Sequence, residues 1–222
     1  MAAILPERAR ESAGLSEADS IAVDPHKWLY APLEAGCALV RNREKLRDAF
    51  SYHPPYYHFE TEAINYYDLG PQNSRGFRAL KVWLALQQAG RDGYVQTISE
   101  DIRLAGELFR LIAQTSELEA LTQSLSITTF RFVPSDMTAG GEEVENYLDQ
   151  LNNELLTRLQ NSGEAYLSNA IVRGRFALRA CIVNFRTTQA DIEALPPLIV
   201  RIGREADVEL RPAGLRQGGG LL

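Results

Sequence analysis

Ser20-Ile21-Ala22-Val23-Asp24-Pro25-His26-Lys27-Trp28-Leu29 leads, through Tyr30-Ala31-Pro32-Leu33-Glu34-Ala35-Gly36, into Cys37-Ala38-Leu39-Val40-Arg41. Ser20 to Asp24 is a short β-branched run closed by Pro25, and Cys37 to Arg41 is a second run that opens just after Gly36. Two short strands are therefore predicted, flanking a turn that holds His26, Lys27 and Trp28. Lys27 has the wrong neighbours for an ordinary surface lysine, with a proline and a histidine before it and Trp28-Leu29 after it. If those neighbours strip water from its stem, the amine is readied for attack on an aldehyde. Local pattern alone fits a snorkelling lysine at a strand end at least as well.

Outward from this segment the chain reads as α/β. A charged helix is predicted at 43 to 50, followed by Ser51 to Pro71, which is crowded with Tyr52, Tyr56, Tyr57, Phe59, Tyr66 and Tyr67 and broken by Pro54-Pro55. That composition marks an ordered or lid-like loop rather than a linker. Ser74 can cap a helix to about Gln88, with Gly90 as its stop. Phe77, Leu80, Trp83, Leu84 and Leu86 cover so broad an arc of it that burial is expected. The rest reads as a helix from Tyr94 to Gln114, strand material at Ser126 to Val133, a helix at Glu142 to Gln160, strands near Ala165 to Asn169 and Arg175 to Phe185, and a last helix. That helix opens with the capping pattern Thr188-Gln189-Ala190-Asp191 and is expected to bend or restart at Pro196-Pro197. A frayed tail is expected from Arg211, with Gly218 to Gly220 as tail rather than phosphate loop. The domain reading is 1–90, 91–210 and a tail at 211–222.

Composition narrows the function. The 222 residues carry 29 acidic against 23 basic side chains, a net charge of −6 with the signs interspersed, so no basic stripe is offered to a nucleic acid. No apolar run approaches a membrane span and the N-terminus has no signal-peptide core, which makes a cytoplasmic protein the expectation. Cys37 and Cys181 are far apart in sequence and are read as free thiols. His53 and His58, with His26 and Cys37, fit no metal-ligand spacing, so no metal is expected.

Ala18 to Arg41, read whole, closely resembles the cofactor-lysine segment of the group II pyridoxal-phosphate-dependent amino-acid decarboxylases, the family of the aromatic-L-amino-acid and glutamate decarboxylases. A serine seven positions before the lysine, the His-Lys-Trp-Leu core and the small-residue strand after it all match. The resemblance continues through Asn73-Ser74-Arg75-Gly76-Phe77-Arg78-Ala79-Leu80-Lys81-Val82-Trp83 and, more weakly, to about residue 208. It implies a fold-type I α/β enzyme, with the end of the large domain to about residue 90 and then a small C-terminal domain, working as a homodimer on an L-amino acid. By the same resemblance Lys27 is the Schiff-base lysine of pyridoxal 5'-phosphate and His26 sits beside the phosphate. Tyr56, or failing it Tyr57, protonates the substrate carbon after carbon dioxide leaves. Asn73 and Ser74 lie near the phosphate of the neighbouring subunit's cofactor, with Arg75 shaping the same site. Packing of a dimer interface is the commoner fate for a loop of six aromatics, and Ser74 serves equally as an N-cap.

In the resembled family the aspartate that keeps the pyridine nitrogen protonated, the ring stacked on the cofactor and much of the phosphate cup lie upstream of the lysine. Met1 to Arg8 looks like the stretch just after the aspartate-bearing strand, so the chain is read as a C-terminal half, inactive alone. Asp19 and Asp24 belong more naturally to the strand leading to Lys27. Pro32-Leu33-Glu34-Ala35-Gly36 leans towards an aromatic substrate. Two other readings stay open: an aldehyde-forming or aminotransferase-like enzyme with the same lysine, and a non-catalytic, truncated or dimerising polypeptide.

Overall fold

Val and Ile at alternate positions, a proline stop and a glycine start make the two runs around Lys27 into strands. In the computed structural model β1 (Ser20–Val23) pairs antiparallel with β2 (Cys37–Val40), Ser20 opposite Val40 and Val23 opposite Cys37. The structure describes residues 1–8, 10, 12–56, 64–137 and 140–215. It divides into two compact units, Met1–Gln96 and Thr97–Leu222.

In the first unit, α1 (Arg43–Phe50) starts at Asn42, whose side chain accepts from the Glu44 amide at 2.9 Å. The helix α2 (Arg78–Gln114) follows a short 3₁₀ turn at Tyr66–Leu69 and is interrupted at Gly90, where φ is 63°. A left-handed residue there is cheap only for glycine, so the predicted stop is real and helix resumes directly beyond it. Two expectations fail. The helix begins at Arg78 and not after Ser74: Gly76 weakens a first turn there, and Arg75 instead donates to the Tyr66 carbonyl at 2.5 Å. Its apolar arc is also open rather than buried, with Phe77 75% and Trp83 55% exposed. Polar groups tether this helix to the preceding chain, Arg78 to Glu34 at 2.9 Å and Lys81 to the Leu33 carbonyl at 3.1 Å.

The second unit reads ββαββα after the last part of α2. β3 (Leu118–Ser124), β4 (Ile127–Phe132), β5 (Ser168–Val172) and β6 (Arg175–Cys181) form an antiparallel sheet in the order β3-β4-β6-β5, with α3 (Glu142–Ser162) and α4 (Gln189–Leu210) between and after the pairs. β3 was not expected: Leu-Glu-Ala-Leu-Thr-Gln is helix-favouring material, and only pairing with β4 makes it a strand. Arg173 and Gly174, both at positive φ, close the β5–β6 hairpin in the two-residue form that matches strand twist.

Leu148, Leu151, Leu155 and Leu159 make one stripe of α3, which meets Phe130 and Phe132 of β4 and Ile192, Ile199 and Ile202 of α4 in a single core. Asn152, in the same stripe and fully buried, accepts from the Phe132 amide at 2.7 Å and donates to its carbonyl at 2.9 Å, standing in for a strand partner. The Thr188–Asp191 capping box is present. A restart at Pro196-Pro197 is not: helix continues from Gln189 to Leu210, because burial of Ile192, Leu195, Pro196 and Ile199 offsets the two lost backbone bonds. On β4, the fully buried Arg131 is held by Glu119 and Glu145, each at 2.6 Å. Arg211, placed at the head of the expected tail, pairs with Asp136 and with Asp207; the glycine run lies outside the described residues.

Candidate functional site

Backbone hydrogen bonds lock the turn after β1. The Lys27 amide donates to the Asp24 carbonyl at 3.1 Å, the Tyr30 amide to the Lys27 carbonyl at 2.9 Å and the Ala31 amide to the Pro25 carbonyl at 3.0 Å. Pro25, Leu29, Ala31 and Ala35 are buried beneath it. Tyr94 donates from its hydroxyl to the Leu29 carbonyl at 2.9 Å and stacks on Tyr30 with ring centroids 6.5 Å apart. The alternation of buried and exposed positions thus lifts His26 and Lys27 into solvent on a fixed base.

Lys27 Nζ lies 2.6 Å from Asp24 Oδ2, and its side chain is 64% exposed. The apolar surround expected from Trp28 and Leu29 does not form over the amine, because Leu29 turns inward and the group facing Nζ is a carboxylate. That contact is visible from the other side: the Lys27 hydrogen bond, then its charge, hold the Asp24 carboxyl below the usual aspartate value. His26 Nδ1 lies 3.4 Å from the Ala35 carbonyl oxygen.

The other expected residues lie on separate segments of the same unit. Tyr56, just after Pro54-Pro55, is 75% exposed, while Tyr57, His58 and Phe59 lie outside the described residues. Asn73 and Ser74 are exposed, and Ser74 is four residues short of the helix it was read as capping. Among the described residues no three His, Cys, Asp or Glu side chains gather as a metal site would need. His53 instead meets Asp68, its Nε2 2.9 Å from Asp68 Oδ1, and Ser51 donates to the same oxygen at 3.1 Å. Asp68 is almost completely buried. Sequence reading missed it, since a lone acid in Tyr-Tyr-Asp-Leu carries no signal beyond its apolar neighbours.

Residues 1–133, well over half the chain, match the pyridoxal-dependent decarboxylase conserved domain. The chain belongs to the pyridoxal-dependent decarboxylase family. It is 32% identical over 200 residues to the aromatic-L-amino-acid decarboxylase of Bacillus atrophaeus, covering 88% of this chain and 41% of that protein. It is 29% identical over 187 residues to phenylacetaldehyde synthase of a Rosa hybrid cultivar, covering 82% of this chain and 37% of that protein. Among solved structures, Oryza sativa TDC with PLP and tryptamine superposes with a TM-score of 0.80 at 27% identity, over 90% of this chain and 42% of that one. The chain thus spans about two fifths of the length of the relatives it matches. The family and the α/β fold expected from Ala18 to Arg41 are those found.

Proposed function

We propose that this chain carries the cofactor lysine, Lys27, of a pyridoxal-phosphate-dependent carboxy-lyase acting on an aromatic L-amino acid. The observation that carries the reading is an exposed primary amine held on a backbone-locked turn, in the stretch shared with the decarboxylase domain. Relatives named for aromatic substrates support the substrate class. On this reading Met1–Gln96 belongs to the large cofactor-binding domain and Thr97–Leu222 is the small C-terminal one, and the full-length protein works as a cytoplasmic homodimer. The open apolar arc of α2 and the free, exposed Cys37 and Cys181 agree with that.

The residues fit the aldehyde end of pyridoxal phosphate. Nζ is accessible, and an exposed ion pair such as Lys27–Asp24 contributes little and gives way easily. His26, on the same turn, would lie against the phosphate, with Asn73 and Ser74 reaching the phosphate in the neighbouring subunit. No residue of this chain is assigned to the ring nitrogen. When bound, the cofactor supplies an electron sink for the pair left on the substrate α-carbon as its carboxylate departs. Lys27 would hold the group through Nζ, which must give up a proton and its contact with Asp24 to do so. Tyr56 Oη then holds the proton delivered to the α-carbon.

Borohydride reduction of the protein mixed with pyridoxal phosphate tests the lysine. The sequence has three lysines, Lys27, Lys45 and Lys81, and peptide mass mapping is expected to place the label on Lys27. Equal labelling of all three overturns the assignment. The second reading, an aldehyde-forming enzyme, draws on the likeness to phenylacetaldehyde synthase. There the amino acid, dioxygen and water give aldehyde, carbon dioxide, ammonia and hydrogen peroxide. Product analysis of the full-length protein with L-tryptophan, L-tyrosine and L-phenylalanine separates the two, amine without peroxide being expected.

A further inference from the structure

Ser51, His53 and Asp68 meet in one three-way contact that the proposed chemistry leaves unused. Asp68 Oδ1 accepts from Ser51 Oγ at 3.1 Å and lies 2.9 Å from His53 Nε2, while Ser51 Oγ and His53 Nε2 are 3.3 Å apart. The residue types are those of a nucleophilic triad, but the geometry excludes a relay. A relay uses both ring nitrogens, one towards the acid and one towards the hydroxyl. Here acid and hydroxyl converge on the same nitrogen, and the hydroxyl already donates to the acid. What the arrangement does is mechanical: a buried carboxylate in the 3₁₀ turn Tyr66–Leu69 grips the residue that ends α1 and the residue two beyond it.

Ser51 is fixed from the other side by its own amide, which donates to the Arg47 carbonyl at 2.8 Å. The turn that carries Asp68 has a second hold, Arg75 donating to the Tyr66 carbonyl. His53 also sets its ring edge-on to Tyr67, centroids 6.3 Å apart. Pro54-Pro55 then stiffens the step from His53 to Tyr56, because both φ angles are fixed by their rings. From these contacts we propose that Ser51, His53 and Asp68 form a clasp that positions Tyr56. They are positioning residues acting through the chain interval they tie together, and the inference rests on the reading of Tyr56 as the proton donor. A buried carboxylate deprived of its donors has to be solvated or neutralised, so the three groups stand or fall together.

The test compares Asp68→Ala, Ser51→Ala and His53→Gln with Tyr56→Phe in the full-length protein. Three readouts are used: amide hydrogen exchange in peptides covering 51–56 and 64–68, measured without cofactor; borohydride labelling of Lys27; and the ratio of amine to aldehyde. The clasp variants are expected to raise exchange at both ends together, to leave labelling of Lys27 unchanged and to shift products from amine towards aldehyde as Tyr56→Phe does. Misplacing a group by about an ångström costs on the order of ten- to a hundredfold in rate. Combining a clasp variant with Tyr56→Phe is expected to add nothing further to the product shift, which a merely structural role does not produce. Raised exchange with an unchanged product ratio, or an additive double variant, overturns the clasp while leaving Tyr56 in place. An unchanged product ratio in Tyr56→Phe itself overturns the proton-donor reading and with it the role proposed for the clasp. If Asp68→Ala does not fold, Ser51→Ala and His53→Gln, at positions that are themselves exposed, decide the question.

Discussion

In Thr97–Leu222, Leu108, Phe130, Phe132, Leu148, Leu155 and Ile199 are sealed from solvent in one core built from one face of each helix and one face of the sheet. In Met1–Gln96 the buried apolar residues among those described include Leu29, Ala31 and Ala35 of the lysine turn, Tyr94, which bonds to it, and Leu5, while Leu33, Leu39, Phe77, Leu80, Trp83 and Leu84 stay open to solvent. One unit invests its apolar residues in its own stability. The other spends a few of them on holding one turn rigid and leaves the rest exposed. On the proposed function, chemistry and stability sit in different units, and substitutions should separate them.

The largest effect is expected at Lys27. Lys27→Ala in the full-length protein should abolish borohydride-fixable cofactor and lower amine formation by orders of magnitude, since no other group on the turn is a primary amine. The stability of Thr97–Leu222, followed by amide hydrogen exchange in its own peptides, should not move. A Lys27→Ala protein that remains yellow and active would break the comparison at its chemical end.

The opposite substitution is Asn152→Leu. It keeps approximate size but strips the Phe132 amide and carbonyl of their partners, at a cost of about 2–5 kcal/mol for two stranded peptide groups. Denaturant melts of the chain measure it. Labelling at Lys27 should persist below the new transition. A cost under about 1 kcal/mol would mean that water replaces the amide, which the sealed surroundings of Asn152 argue against.

Acid provides a third cut. Hydrogen bonds from Arg131 hold the Glu145 carboxyl below the ordinary glutamate value, ahead of an opposing contribution from burial. A depressed folded-state value means that the ionised form favours folding. Its contribution is fully present above the unfolded value of about 4.3 and is lost as pH falls through the lower folded one. The unit Thr97–Leu222 should thus lose stability below about pH 4, and Glu145→Gln should flatten that part of the profile. An unchanged slope in Glu145→Gln would assign the acid sensitivity to other carboxylates.

What could be read in the sequence follows the same division. Local signals succeeded where one short stretch decides the outcome: the β1 and β2 runs, α1, the Gly90 stop and the Thr188–Asp191 box. They failed where a distant partner decides. β3 is a strand only because β4 lies beside it, and α4 passes through two prolines only because its buried face offsets their cost. Apolar periodicity at Phe77 to Leu86 signals a surface that prefers cover without saying what supplies it, so burial was expected and exposure is found. At the site, the family was legible in a specific motif around Lys27. The carboxylate facing Lys27 and the buried Asp68 were not, because a side chain's partner across a turn or fifteen residues away leaves no periodic trace.

The smallest effect is expected at Phe77, and it tests the open surface directly. Phe77→Ser removes a large ring that is three-quarters exposed, and substitutions at such places usually change stability by less than about 0.5 kcal/mol. Phe130→Ala, in the sealed core of the other unit, is the contrast at about 3–5 kcal/mol. Both tryptophans, Trp28 and Trp83, lie in Met1–Gln96, so tryptophan fluorescence in a denaturant melt reports that unit and circular dichroism reports both. A Phe77→Ser chain whose fluorescence transition stays in place keeps the contrast as drawn. A loss of 2 kcal/mol or more, on the order of fully burying a phenylalanine side chain, would show that the ring is covered in solution. The difference between the units would then lie in what covers the apolar residues, and repeating the melt across a range of protein concentrations would tell self-association, which shifts with concentration, from cover within one chain, which does not.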